Sequence, residues 1–180
     1  MYTYWQSIHG INSSGQKFGV RMKKAHLVHI IITIAVMLFI FIQSALPGDL
    51  SGAESNMIVQ FIAGLTGWNE EALSIVVRKA AHFTEFLILG TCLCINMRDL
   101  RTKRIRDEET GADASVRRYC LAAWLIGTAY AITDEFHQLF VPGRACSLID
   151  ICIDSAGVAA GVLMYCILNA GSMNAVKRAC

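Results

Sequence analysis

Charged residues are scarce in this chain of 180 residues: they make up 17% of it, whereas hydrophobic residues make up 54%. Soluble domains carry about 25% charged residues. The apolar residues also come in blocks of bilayer length rather than in short alternating runs. These features predict a small all-α integral membrane protein, a single helical bundle whose main partner is the lipid bilayer and which binds no nucleic acid.

Motifs that would cross-link a small fold are missing. The chain has seven cysteines but no CxxC pair. Inside an apolar run cysteine behaves as a small hydrophobe, and five of the seven lie in such runs: Cys92, Cys94, Cys120, Cys152 and Cys166. We therefore expect neither a disulfide framework nor a structural zinc site.

Four apolar runs are long enough to cross a bilayer, which takes about 20 helical residues. Basic residues precede the first run as they would in a signal peptide, but the run is longer than a cleavable segment and a poor cleavage site follows it. The first run is therefore predicted to be an uncleaved span that stops at Pro47-Gly48. The four predicted spans are Leu27–Leu46, Leu73–Met97, Tyr119–Phe140 and Leu148–Asn169.

These spans form one predicted domain, residues 27–169, between a polar basic segment (1–26) and a short tail (170–180). After the first span, Asn56–Leu65 is apolar but too short to cross, and Trp68 suits the headgroup level. This stretch predicts a short helix along the membrane interface.

Basic residues are distributed unevenly among the connecting segments. Segment 1–26 holds four Lys or Arg, segment 98–118 holds seven and the tail holds two, whereas segment 48–72 holds none and the 140–147 turn holds only Arg144. Segments rich in Lys and Arg stay in the cytoplasm. The counts alternate along the chain and predict a multi-pass protein of the plasma membrane with both termini cytoplasmic.

Polar residues inside the predicted spans gather at the end that faces away from the cytoplasm. On the second span, Arg78, His82 and Glu85 are spaced i, i+4 and i+7 and so share one helix face. On the fourth span, Gly157 and Gly161 form a small-residue face that permits close helix packing. The third and fourth spans contribute Tyr130, Asp134, His137, Gln138, Asp150 and Asp154. Ionisable residues at membrane depth mark functional sites, so we predict a polar pocket that opens outward.

Simpler interpretations exist for some of these residues. The stretch Ser147–Asp150 matches a helix capping box. Lys79 matches an interfacial anchor whose ammonium group reaches the headgroups. Asp154 is different, because it lies about two turns into the fourth span and needs a basic partner there, such as Arg78, Lys79 or Arg144.

The chain resembles the VanZ-like family of small integral membrane proteins over about residues 27–169. The resemblance rests on two polar segments, 78–90 (RKAAHFTEFLILG) and 134–144 (DEFHQLFVPGR). The second has the specific pattern DExHQxFxPGR between two spans. Further matching positions are Phe41-Ile-Gln-Ser44, Ser51, Ser55, Asp150, Asp154, Gly157 and Gly161. The sequence departs from the family at Phe86, where the family often has Tyr, and this puts a functional role for that position in doubt.

The family is named for a protein linked to teicoplanin resistance, so the resemblance implies a contribution to glycopeptide resistance or to maintenance of the cell envelope. The pocket would then bind an anionic cell-envelope lipid, such as a lipid-linked cell-wall precursor, or a lipoglycopeptide. Arginine offers bidentate contacts to phosphate and carboxylate groups. The residues expected to contact the ligand are Arg78, Lys79, His82, Glu85, Asp134, His137, Gln138, Arg144, Asp150 and Asp154.

Two other functions stay open. A membrane enzyme that acts on a lipid-linked phosphate would use carboxylates and imidazoles for proton transfer, and the candidates are His82, Glu85, Asp134, Glu135 and His137. A divalent metal is compatible with the i,i+3 pairs His82/Glu85 and Asp134/His137, although no specific motif indicates a cofactor. The sequence also has no evident nucleophile or hydrolase motif. A proton-coupled transporter is the other alternative, which the lack of an internal repeat disfavours.

Overall fold

The computed structural model describes the backbone of residues 13–47, 59–105 and 112–179, and the side chains of residues 24–47, 59–100 and 116–169. Within these ranges the chain forms five helices and no strand. The helices are α1 (Ser13–Ala45), α2 (residues 59–66), α3 (Glu70–Ile105), α4 (Ala112–Gln138) and α5 (Leu148–Ala179). The predicted all-α fold class is confirmed.

The local sequence explains where several helices begin and end. α1 stops two residues before Pro47, because proline disfavours helical backbone in the residue before it and lacks an N–H. Gly67 follows α2 with a φ of 71°, which suits glycine, and its N–H donates to the carbonyl of Ala63 at 2.8 Å. Asn69 caps α3, since its Oδ1 accepts the Glu71 N–H at 2.8 Å.

Three of the described helices are long and apolar enough to cross a membrane. They lie close to the predicted first, second and fourth spans, and the last has the same bounds as its prediction: Lys24–Ala45, Glu70–Leu100 and Leu148–Asn169. α4 is not among them, and it carries Asp134 and Glu135 near its C-terminal end. The predicted third span, Tyr119–Phe140, therefore stays a prediction at this point.

Other predicted boundaries change in the structure. α1 already begins at Ser13, so the described part of the predicted N-terminal segment, residues 13–26, belongs to a long helix. The predicted interfacial helix Asn56–Leu65 overlaps α2, while its residues 56–58 lie outside the described part of the chain. α3 and α4 also extend into the hydrophilic segment 98–118 from both sides.

α3 and α5 run parallel and touch backbone to backbone. A Cβ atom added at Gly157 would lie 2.5 Å from the carbonyl oxygen of Phe83, and one at Gly161 would lie 2.0 Å from that of Leu87. Only residues without a side chain allow two helices to approach so closely. The close packing predicted for this face of α5 is therefore found, with α3 as the neighbour.

The apolar core lies where α1 and α4 pack against this helix pair. Phe86, Ile40, Leu89 and Val158 are fully buried there. The ring of Phe86 lies 6.1 Å from that of Tyr130, measured between centroids. Phe86 therefore packs in the core, which is consistent with a phenylalanine here in place of the tyrosine that the family often has.

Polar contacts join α1 to α3 at the end of the bundle where α3 ends, away from the predicted site. The Nδ1 atom of His29 lies 2.6 Å from Oδ2 of Asp99. One turn away, the amide of Asn96 donates to the hydroxyl of Thr33 at 2.6 Å. His29 and Asp99 thus form a histidine–carboxylate contact that lies far along α3 from the residues predicted to form the site.

Candidate functional site

A cavity of about 200 Å³ lies at the end of the bundle where α1 and α4 end and α3 and α5 begin. Most of the predicted site residues line it, and they come from α3, α4, the connection 139–147 and α5. The charged and polar lining residues are Arg78, Lys79, His82, Glu135, Gln138, Arg144, Asp150 and Asp154. Ile75, Gly143, Ala145 and Ile153 complete the lining.

Asp134 links α1 to α4 next to this cavity. Its side chain is 2% exposed, and its Oδ2 accepts hydrogen bonds from the Ser44 hydroxyl at 2.7 Å and the Gln138 amide at 3.2 Å. The other oxygen, Oδ1, is buried and has no hydrogen-bond partner among the described residues. Asp134 is therefore held firmly at one oxygen and is available at the other.

Asp134 converges with two side chains from other helices. His82 on α3, Asp134 on α4 and Asp154 on α5 each bring one nitrogen or oxygen donor atom within 4.8 Å of the other two. His82 Nδ1 also lies 3.6 Å from Glu85 Oε2, and neither atom has a hydrogen-bond partner in the described part of the chain. Histidine and carboxylate donors at such distances can hold a metal ion.

Asp154 does not find the basic partner that the sequence predicts. It is 2% exposed, yet it forms no ion pair with any of the three basic residues of the cavity, all of which lie in the described part of the chain. One of its carboxylate oxygens instead lies within 4.8 Å of donor atoms of His82 and Asp134.

Two polar contacts fasten the beginning of α5. The ammonium group of Lys79 pairs with the carboxylate of Asp150, and the Ser147 N–H donates to Oε2 of Glu135 at 2.9 Å. The structure thus gives Lys79 and Asp150 an ion pair between α3 and α5. The capping box expected at Asp150 is disfavoured, because the Ser147 N–H donates to Glu135 instead. The interfacial anchoring of Lys79 stays a prediction.

Arg144 is fixed by backbone carbonyl groups at the end of α1. The chain turns at Gly143, whose φ of 73° suits glycine, and the Arg144 guanidinium donates to the carbonyls of Leu46 and Gln43, both at 3.3 Å. Partial burial lowers the pKa of this guanidinium, and the charge of Arg78 lowers it further. Arginine nevertheless stays protonated in proteins, so two like charges share the cavity.

Neither arginine of the cavity has an acidic partner. The described residues offer no carboxylate within ion-pairing distance of Arg78 or Arg144, and the Nε of Arg78 is buried without a hydrogen-bond acceptor among them. Both guanidinium groups therefore keep donors available to a ligand in the cavity.

His137 is placed apart from the cavity. Its ring stacks on Phe41 with a centroid separation of 4.3 Å, and it does not line the cavity. Of the residues predicted as possible metal ligands, His82 and Asp134 come together, with Asp154 as the third member in place of Glu85 and His137.

Two contributions were not predicted from the sequence. Ser44 is the fully buried partner of Asp134, and the carbonyls of Gln43 and Leu46 position Arg144. Ser44 lies in the segment Phe41–Ser44 that the family resemblance includes, but nothing in the sequence indicates that its hydroxyl would bind Asp134. Backbone carbonyls carry no signal in the sequence, so the second could not have been found.

Comparison with known proteins identifies the family of the chain. The family model described as VanZ/LLP1 matches residues 29–169, which include every residue that lines the cavity. Searches of curated proteins and of solved structures found no significant match. The family match covers well over half of the chain and includes helices of membrane-spanning length; the chain therefore belongs to the VanZ/LLP1 family and is a VanZ-like multi-pass membrane protein.

Proposed function

We propose that the cavity binds the phosphate-bearing headgroup of an anionic cell-envelope lipid at the outer face of the plasma membrane. This proposal depends on one observation: Arg78 and Arg144 line the same cavity, and neither forms an ion pair with a carboxylate of the described residues. A buried donor without an acceptor costs about 1–3 kcal/mol. Phosphate oxygens accept two parallel N–H bonds from a guanidinium group, so an incoming phosphate removes that cost.

The proposal includes four spans, with α4 as the third. α3 and α5 are parallel, and two parallel spans can be joined only through a segment that returns across the bilayer. α4 has 27 residues, or about 40 Å of helix, against a hydrocarbon core of about 30 Å. Its carboxylates Asp134 and Glu135 are each 2% exposed, so they face the bundle and leave the lipid-facing surface apolar.

The direction of the cavity follows from the basic residues. The connection 139–147 beside the cavity contains a single basic residue, whereas segment 98–118 at the other end of the bundle contains seven. By the positive-inside rule this supports a cavity on the extracytoplasmic side and both termini in the cytoplasm.

Cys146 offers a direct test of this topology, because it is exposed in the connection 139–147. In a variant whose six other cysteines are replaced by serine, we expect a membrane-impermeant maleimide to label Cys146 in intact cells. The matched control carries Cys146→Ser and Asp107→Cys, and it should be labelled only after the membrane is permeabilised. Labelling of Cys146 only after permeabilisation would reverse the proposed orientation.

Lipid binding can be measured with the purified protein in nanodiscs that contain a polyprenyl phosphate. We expect Arg78→Met to weaken binding by about tenfold or more, because it removes charge-assisted hydrogen bonds of about 1.5–3 kcal/mol. Arg117→Met is the control, since Arg117 is exposed near the opposite end of the bundle. Equal binding by wild type and Arg78→Met, or no preference over phosphatidylcholine, would refute the proposal. Free inorganic phosphate as competitor shows whether the lipid portion contributes.

Glycopeptides act on lipid-linked cell-wall precursors outside the membrane, on the side where the cavity is proposed to open. Family membership therefore supports a contribution to glycopeptide resistance or to envelope maintenance, through binding of such a precursor or of a lipoglycopeptide. A second candidate is a membrane enzyme that hydrolyses a lipid-linked pyrophosphate, which the proximity of His82, Asp134 and Asp154 favours. Release of inorganic phosphate from such a lipid by the purified protein would support the enzyme.

A further inference from the structure

We propose that His82, Asp134 and Asp154 form a site for one divalent transition-metal ion of the zinc or manganese class. Their donor atoms come from α3, α4 and α5 and lie within 4.8 Å of one another. At bonds of about 2.0–2.1 Å, tetrahedral donors lie about 3.3 Å apart, a separation that small side-chain rotations would reach. Imidazole suits zinc and carboxylate oxygens suit manganese, so a mixed set accepts either ion.

The buried oxygen of Asp134 is the first sign that a cation belongs there. Ser44 and Gln138 both donate to Oδ2 of Asp134, and this fixes the carboxylate while Oδ1 stays without a partner in the described part of the chain. With the side chain 2% exposed, water does not solvate that oxygen freely. Such an oxygen is unfavourable unless it is protonated or binds a cation.

Glu85 lies where it could orient the His82 ring for metal binding. Histidine ligands commonly donate their second ring N–H to a carboxylate, which orients the ring and selects the tautomer. His82 Nδ1 lies 3.6 Å from Glu85 Oε2, and both atoms are buried without a hydrogen bond to any described residue. A small rotation would join them and leave Nε2 of His82 to bind the ion.

The charged groups around the cavity also favour binding of a divalent cation. Five carboxyl groups lie in or beside it: Glu85, Asp134, Glu135, Asp150 and Asp154. The permanent cations are Arg78, Lys79 and Arg144. Carboxyl groups thus outnumber the permanent cations by two, and metal binding favours the deprotonated form of the carboxyl groups that ligate the ion. Uncompensated charge away from water is strongly unfavourable.

His82 and Asp154 line the cavity beside Arg78, so an ion held by them faces the cavity. Three protein ligands leave a coordination position open, as in catalytic zinc sites. That position would take water or an oxygen of the headgroup phosphate. This last role rests on the proposed function, whereas binding of the ion does not.

Metal content tests the site directly. The protein is purified in detergent, treated with EDTA, loaded with Zn²⁺ or Mn²⁺ and dialysed, and the ions are counted by mass spectrometry. We expect about one ion per wild-type chain. Asp154→Asn and His82→Gln should each weaken Zn²⁺ affinity by more than about tenfold in a competition titration with a chelating dye. Bound Zn²⁺ should also raise the melting temperature of the wild type but not of these variants, and size-exclusion chromatography shows whether each variant is folded.

Asp99→Asn is the matched control, because Asp99 also contacts a histidine but lies at the other end of the bundle. It should keep the full metal content. Absence of bound ion in the wild type, or loss of the ion in Asp99→Asn with retention in Asp154→Asn, would overturn the proposal. Headgroup binding measured with and without EDTA separates the two claims: intact metal binding without any headgroup binding would refute only the proposed function.

Discussion

Gly161→Ala is expected to destabilise the folded bundle by about 2–3 kcal/mol, the upper range for inserting a methyl group into packed structure. The new Cβ would lie 2.0 Å from the carbonyl oxygen of Leu87. The obstacle is backbone inside a helix, which cannot rotate away as a side chain can. α3 and α5 would have to separate, and the core beside Val158 would loosen with them. Unfolding in detergent micelles, followed by circular dichroism against temperature or added sodium dodecyl sulfate, measures the change.

Gly64→Ala is the control for this substitution, since a Cβ at Gly64 meets nothing within 4 Å. Alanine there removes only conformational freedom of the unfolded chain, so stability should be unchanged or rise by about 0.4–1 kcal/mol. A loss at Gly161 no larger than that at Gly64 would show that the close approach of α3 and α5 does not carry the fold.

Arg144→Ala is expected to cause the largest loss of ligand binding, about a hundredfold or more. The guanidinium lines the cavity and donates to the carbonyls of Gln43 and Leu46. Alanine removes one of the two arginines proposed to hold the phosphate and also frees the connection 139–147 from α1. Two charge-assisted hydrogen bonds of about 1.5–3 kcal/mol each account for a change of this size.

Arg144→Lys separates charge from shape. Lysine keeps the positive charge, but a single ammonium cannot reach both carbonyls and still donate to a phosphate in the cavity. We expect binding between those of wild type and Arg144→Ala, and the same order of teicoplanin susceptibility in cells that produce each variant. Unchanged binding and susceptibility in Arg144→Ala, with Arg117→Met as the comparison, would count against both the headgroup site and a role in resistance.

Apolar run length predicts three of the spans well, because bilayer crossing depends on length and composition alone. The bounds Leu148–Asn169 agree at both ends. α4 is harder to assign by the same measure, because Asp134 and Glu135 lower its apolar content although both are buried within the bundle. Hydropathy also gives no sign of the helix start at Ser13, since a helix can continue beyond the membrane through polar residues.

Most residues that line the cavity could be predicted, because helical spacing and the ends of the spans place them on one side of the bundle. The side chains that each of these residues contacts could not be predicted. Asp154 is near His82 and not near a basic side chain within ion-pairing distance, since the register between α3 and α5 decides this. That register depends on the contact of Gly161 with the backbone of Leu87. The spacing of residues within one helix does not predict the register between two helices.

The backbone contact between α3 and α5 also determines which parts of the protein can move. A helix pair in contact along glycine residues has little room to slide or tilt without a clash. We therefore expect Arg78, Asp150 and Asp154, which belong to this pair, to keep their mutual distances. Arg144 lies on the connection 139–147, and its hydrogen bonds to the carbonyls of Gln43 and Leu46 would have to break if that connection moved. We expect entry and exit of a ligand to involve hinge motion of that connection around Gly143, while the rest of the site acts as a stationary platform.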